Sequence, residues 1–181
     1  MHDLSISQAQ ADMRQAYFDG AAGVLVSGLV WLVAALVAAL ATAPAAVLSL
    51  LVGGALIHPL SVLLVKQLGR SGQHAAGNPL GRLAVEGTVW LLAGIAIAVL
   101  LQTLRVQWFF PAMLLTIGAR YLSFQTLYGL RLYWLCGAAL GIAGIALLLL
   151  RAPVVLAAAT GAVIELGFAG LLFRQAAKPA R

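Results

Sequence analysis

Six apolar runs of about twenty residues, each enough for one bilayer crossing, follow one another with only short polar breaks between them. They cover 21–41, 46–66, 83–101, 108–128, 132–150 and 153–173, and the breaks read "TAPAA", "QLGRSGQHAAGNPLGR", "QTLRVQ", "GLR" and "RAP". This pattern leaves little choice of fold. Of 181 residues, 63% are hydrophobic and 9% charged, where a soluble domain carries roughly 25% charged residues. A water-soluble fold of this length has too little interior to hide so much apolar surface. Nothing reads as strands of ~10 residues alternating apolar and polar, which argues against a β-barrel. The expectation is an all-α polytopic membrane bundle, one six-helix domain over 21–174, with a short basic tail at 175–181.

"SISQAQADMRQAYFD" precedes the first run. Ser5 and Gln8 have capping-box spacing. Ala9, Met13, Ala16 and Tyr17 share one helical face, with Asp12, Gln15 and Asp19 elsewhere. Residues 1–20 therefore read as a short amphipathic helix at the membrane interface, or as an ordered entry to the first span. Ala41-Thr42-Ala43 resembles a signal-peptide cleavage site. The run before it is too long, its leading segment is not basic and Pro44 follows the cut, so the first helix is expected to stay.

Lys and Arg set the orientation. With the N-terminus inside, Arg14, Lys66, Arg70, Arg82, Arg131, Arg174, Lys178 and Arg181 are cytoplasmic, and Arg105 and Arg151 are external. Eight against two places both termini in the cytoplasm, in a bacterial inner membrane. The net charge of +6 is scattered singly at run ends, a topology and lipid signal and not a nucleic-acid-binding face. Arg70, His74 and Arg82 in the long loop are expected to meet anionic lipid headgroups. The single cysteine, Cys136, lies in an apolar run and reads as packing. Gly137, Gly141 and Gly144 in "CGAALGIAG" read as a helix-packing face, within the chain or between protomers.

The odd-numbered spans share a Trp-Leu context, "WLVAA" from Trp31, "WLLAG" from Trp90 and "WLCGA" from Trp134. The even-numbered spans carry Gly-Ala before a polar residue in "GALIHPL", "GARYL" and "GAVIELG". Three tandem helical hairpins would produce this pattern, and so would chance in a chain rich in Ala, Leu and Gly.

Arg120 lies twelve residues into the fourth span, roughly 18 Å along the helix. His58 and Glu165 lie twelve residues into spans two and six, and all three spans run from outside to inside. Glu86 is one turn into span three, and Asp19 sits where span one begins. Five ionisable groups thus share the cytoplasmic half. A charge at a helix centre costs about 2.5–3.5 kcal/mol on insertion scales. The expectation is a polar cluster or small cytoplasm-facing cavity, with Arg120 and Glu165 paired and His58, Glu86 and Asp19 around them. Tyr121, Ser123, Gln125 and Tyr128 would add hydrogen bonds. Pro59 beside His58 frees a backbone carbonyl in mid-span and is expected to kink the helix. The cluster reads either as a ligand or ion site or as a buried ion pair that fixes helix order.

Catalytic and cofactor motifs are missing. There is no HExxH for zinc and no GxSxG elbow, and "GQHAAGN" is followed by Asn78-Pro79 where a phosphate loop needs Lys and Ser or Thr. Scattered His58, Glu86 and Glu165 are a weak metal set. No enzyme activity, metal or cofactor is expected.

The stretches "DMRQAYFDGAAGVLVSGLVWL", "GGALIHPLSVLLVK", "GRSGQHAAGNPLGRLAVEGTVWLL" and "WFFPAMLLTIGARYLSFQTLYGLRLYW" resemble a family of small bacterial membrane proteins of unknown function, over roughly residues 11–136. The resemblance implies a multi-helix membrane protein and supplies no activity. The residues themselves point to a small transporter or permeation protein for an anionic or zwitterionic solute. The competing expectation is a non-catalytic scaffold or partner subunit. Membrane lipids, a small-molecule ligand, and either a second copy or a partner membrane protein are the expected partners.

Overall fold

A computed structural model describes residues 4–177; Lys178 and Arg181 of the basic tail lie outside the described residues. The described residues form helices α1 (Ile6–Tyr17), α2 (Ala21–Leu40), α3 (Ala43–Gln67), α4 (Leu80–Leu104), α5 (Phe109–Tyr128), α6 (Leu132–Leu149) and α7 (Val154–Ala176), with 3₁₀ turns at Phe18–Gly20 and Val106–Trp108. Each apolar run lies on one of the helices α2 to α7, with ends displaced by three residues or fewer. The longest extensions are on α3 and α4, because a polar residue ends a hydropathy run without ending a helix. At 25 residues each, they are about 38 Å long, more than the ~30 Å hydrocarbon core. Five helices are long and apolar enough to cross a membrane. The helix carrying Arg120 and Gln125, α5, is not among them.

Sequential hairpins pack together: α2 on α3, α4 on α5 and α6 on α7. The most extensive contacts join hairpins, α2 with α7 and α5 with α6. α3 and α4 are consecutive, yet they make no extensive contact with each other among the described residues. Both show most of their surface.

α1 closes one end of the bundle. Its N-terminus forms the expected capping box: the Gln8 amide donates to Ser5 Oγ at 3.4 Å, and the Ser5 amide donates to Gln8 Oε1 at 3.0 Å. Its apolar face of Ala9, Met13 and Ala16 is buried against the protein, so the face expected at the interface packs inward. Gln10 Nε2 donates to the Thr126 carbonyl at 2.9 Å and Arg14 Nη1 to the Tyr128 carbonyl at 2.7 Å. These two bonds satisfy carbonyls in the last turn of α5, which an α-helix leaves open.

Three successive left-handed residues, Phe18 (φ 56°), Asp19 (φ 57°) and Gly20 (φ 79°), reverse the chain from α1 into α2. Non-glycine residues adopt this region only when neighbours hold them there. The Phe18 ring lies 5.7 Å from the Phe173 ring, with the Arg70 guanidinium 5.2 Å above it. The Asp19 carbonyl accepts from Tyr133 Oη at 2.6 Å. Gly20 is buried, and a Cβ there would strike the Tyr133 hydroxyl and the Tyr128 ring.

The loop between α3 and α4 is tied to α1. Asp12 Oδ2 accepts from the Ala75 amide at 2.9 Å and from Asn78 Nδ2 at 2.7 Å. Asn78 Nδ2 also donates to the Ala9 carbonyl at 2.9 Å, and its Oδ1 accepts from the Leu80 amide at 2.9 Å. Asn78→Ala is expected to cost about 1–3 kcal/mol, because it strands a buried amide and a buried carbonyl together. Limited proteolysis should then cut faster within 68–79, and unchanged cleavage would refute the role of this side chain.

Candidate functional site

Adjacent helices α2 and α7 approach closely because their facing residues are small. α2 buries Ala21, Ala22, Gly28, Ala34 and Ala35, and α7 buries Ala157, Ala158, Gly161, Ala162 and Ala169. Small side chains let helix backbones come together where apolar surface alone gives no preference in lipid. Glu165 stands in this small-residue face, one turn beyond Gly161, and is fully buried. Its Oε1 accepts from Tyr121 Oη of α5 at 3.0 Å. The buried Ser27 of α2 faces the same carboxylate, yet Oε2 has no hydrogen-bond partner.

A second buried polar atom is also unused. Trp31 of α2 is 1% exposed, and its Nε1 has no partner. Its ring fills the space left by Gly161, where a Cβ would come within 2.6 Å, and lies 5.9 Å from the Phe110 ring. Ser27 and Trp31 are one turn apart on α2, and Gly161 and Glu165 are one turn apart on α7. Trp31, packed at the level of Gly161, and Glu165 therefore sit at levels about one helical turn, ~5.4 Å, apart along one seam.

From Glu165 toward the end closed by α1 runs an aromatic group. Tyr121 and Tyr133 have ring centroids 5.9 Å apart, and Phe124 meets Tyr133 edge-on at 5.5 Å. Tyr128 stacks on Tyr133 at 5.4 Å. Tyr133 then reaches the Asp19 carbonyl. Asp19 is half-buried; desolvation pushes its carboxyl up, and Arg14 and Arg70 pull it back down. Between α1 and the long loop opens a polar pocket of ≈ 340 Å³ whose lining includes Asp12, Gln15, Arg70, Ser71 and Gln73.

The expected cluster is not assembled as one group. Arg120 does not pair with Glu165. It is half-buried and faces α4, where Nη1 donates to the Gly87 carbonyl at 3.4 Å and Nη2 to Thr88 Oγ1 at 3.3 Å, with the Phe124 ring 5.4 Å away. Successive helical residues point about 100° apart, so Arg120 and Tyr121 look toward different neighbours. His58 and Pro59 are exposed on the outer face of α3, and Glu86 is exposed on α4. α3 continues as helix through Pro59, and Ser61 Oγ donates to the His58 carbonyl at 2.8 Å. Pro59 therefore sits on the exposed side of an uninterrupted helix.

The expected headgroup contacts also separate. Arg70 is engaged over Phe18, His74 Nδ1 shares a hydrogen bond with Tyr17 Oη at 2.9 Å, and Arg82 is exposed. The three tryptophans of the suggested repeat differ too: Trp31 is buried, while Trp90 and Trp134 are 77% and 53% exposed. Among the described residues, no three of His, Cys, Asp and Glu converge as a metal site would require.

The fold and this site define an all-α protein whose long apolar helices enclose a glutamate with one oxygen, Oε2, left without a hydrogen-bond partner. Residues 6–175 match a family of unknown function (DUF7010), and the chain belongs to that family. No curated protein and no solved structure matches it.

Proposed function

We propose that this chain is a small bacterial inner-membrane transport protein, with α1 and both termini in the cytoplasm, that binds a zwitterionic solute at Glu165. The observation that carries the reading is the unspent pair in the α2–α7 seam, the Glu165 Oε2 acceptor and the Trp31 Nε1 donor. Each buried, unpartnered polar atom costs about 1–3 kcal/mol. A solute bearing both an ammonium and a carboxylate would satisfy the two together. The buried carboxylate narrows the class from anionic or zwitterionic to zwitterionic, because Arg120 is turned away to α4. For the solute to enter, α2 and α7 must part.

The topology rests on charge and enclosure. Arg14, Lys66, Arg70, Arg82, Arg131 and Arg174 lie at the end closed by α1, with Arg105 and Arg151 at the other, and basic residues favour the cytoplasmic side. α5 counts as the sixth span. Its 20 residues reach about 30 Å, and half of them are buried among neighbouring helices, so it need not be apolar on every side.

The test is thermal stability of the purified protein in detergent against amino acids, small amines and small anions. A zwitterion at about 100 times its Kd should raise the wild-type melting temperature by about 5–10 °C. Glu165→Gln should abolish that rise, and Arg120→Ala should leave most of it. A panel that stabilises nothing, or that stabilises Glu165→Gln equally, overturns the reading.

A scaffold or partner-subunit role draws on a different observation. His58 and Glu86 face outward from apolar helices, where a charge is costly in lipid and a partner helix could cover it. Cysteine crosslinking at these two positions in native membranes would capture such a partner, and its absence would remove this alternative.

A further inference from the structure

We propose that the polar pocket between α1 and the long loop binds the phosphate–ammonium headgroup of a membrane lipid, with Arg70 on the phosphate and Asp12 on the ammonium. This site is separate from the one at Glu165 and uses none of its residues.

The walls of the pocket are α1 and the loop segment 69–73, and hydrogen bonds hold them in place. The Gly72 amide donates to the Ala16 carbonyl at 3.0 Å. Asp12 Oδ2 accepts from the Ala75 amide and from Asn78 Nδ2 of the same loop. Within the loop, Ser71 Oγ donates to the Gln73 carbonyl at 2.8 Å and accepts from the Gln73 amide at 3.2 Å. Gly69 and Gly72 turn the chain with φ of 78° and 65°, left-handed backbone that glycine adopts without strain. The ≈ 340 Å³ between these walls suits a small polar group, at the lower end of the roughly 300–1,000 Å³ of ligand sites.

Charge selects the headgroup. The pocket has one cation, Arg70 on the loop wall, and one anion, Asp12 on the α1 wall. The Arg70 guanidinium is held over the Phe18 ring. Both loop bonds to Asp12 fall on Oδ2, which leaves Oδ1 to accept from a ligand. A bare anion at Arg70 would meet the Asp12 carboxylate, and a bare cation at Asp12 would meet the guanidinium. A ligand that carries both charges turns the two repulsions into attractions. The arginine fork suits a phosphate, which it can bind with two parallel hydrogen bonds. Gln15, Ser71 and Gln73 supply neutral polar groups around it.

Position selects the lipid. At 25 residues, α3 is about 38 Å long, against ~30 Å of hydrocarbon core. The pocket begins two residues past the end of α3, at Gly69, which puts it at the level of the headgroups. Leu60, Leu63 and Leu68 are exposed at this end of α3 and offer apolar surface to acyl chains. Of the three loop residues expected to meet headgroups, Arg70 alone lines the pocket, and Asp12 changes the expected class from anionic to zwitterionic.

The experiment is native mass spectrometry of the detergent-purified protein, titrated with lipids that share their acyl chains and differ in headgroup: phosphoethanolamine, phosphocholine and phosphoglycerol. The phosphocholine ammonium has no N–H for Asp12, and phosphoglycerol has no ammonium. The first lipid bound should be the phosphoethanolamine one, preferred by about tenfold over either of the others, the order of one charge-assisted hydrogen bond. Asp12→Asn keeps an oxygen for the loop donors and removes the charge, so it should level that preference. Gln15→Lys changes an exposed side chain and adds a second cation, so it should turn the preference toward the phosphoglycerol lipid. A wild type that binds the three headgroups alike overturns the proposal, and so does the wild-type order kept in both variants. Free phosphoethanolamine should bind far more weakly than the lipid. If it binds as tightly, the ligand is a soluble one and the lipid assignment falls. The readout is bound mass and not melting temperature, so a solute panel that stabilises nothing would refute the Glu165 reading and leave this pocket standing.

Discussion

Gly118→Val is expected to prevent α5 from seating on α6. A Cβ at Gly118 would come to 2.8 Å from the Gly137 carbonyl oxygen and 3.0 Å from the Gly141 amide nitrogen. From the other helix, a Cβ at Gly137 would come to 2.6 Å from the Gly118 carbonyl oxygen. These neighbours are backbone, so no rotamer change relieves the clash, and the helices must separate along one of the two most extensive contacts in the bundle. Overpacking in a well-filled interior costs typically 1–3 kcal/mol, and a rigid backbone clash belongs at or above the upper end. A loss of about 3 kcal/mol lowers the melting temperature by about 6–12 °C for a chain of this size. Gly141→Val is the control, because a Cβ there meets nothing within 4 Å. Equal melting temperatures for the two variants would refute the close crossing of α5 and α6.

The contrast between Gly118 and Gly141 shows what the sequence could and could not carry. "CGAALGIAG" announces a small-residue packing face without saying which glycine touches backbone. The same holds for the site. Helix positions along the chain were legible, because apolar runs and polar breaks encode them directly. Distance along a helix was legible to within a few residues, because each residue adds a fixed rise. Azimuth was not. In a helix apolar on every side, hydropathy does not distinguish the protein-facing side from the lipid-facing one. His58, Arg120 and Glu165 were expected at one depth; the first faces outward, the second faces α4 and the third is enclosed. One signal could have singled out Glu165. Ala157, Ala158, Gly161, Ala162, Glu165 and Ala169 follow helical spacing, and a ladder of small residues marks the tightly packed face. No comparable ladder surrounds His58 or Glu86. The tie between α1 and the long loop was hidden for another reason. It depends on Asp12 and Asn78, 66 residues apart, and no local pattern links them.

Tyr121 and Glu165 should behave as a unit when substituted. Tyr121→Phe removes the one hydrogen bond that Glu165 accepts and leaves a wholly buried carboxyl with none, which should cost about 1–3 kcal/mol. Glu165→Met fills a similar volume without charge but strands the Tyr121 hydroxyl, and the loss should be smaller because a hydroxyl is easier to leave dry than a carboxyl. The double variant replaces both partners by apolar groups of similar shape, so its stability should return to near that of wild type or exceed it. The two single effects should therefore fail to add by about 1–3 kcal/mol. Unfolding in mixed micelles, followed by tryptophan fluorescence, measures all four corners of the cycle. Additive losses would mean that the bond contributes nothing to the bundle. A double variant as stable as wild type that no longer shows the solute response would separate the two roles of this pair. The bundle would then stand without Glu165, so the carboxyl would be kept for the solute and not for holding the helices together.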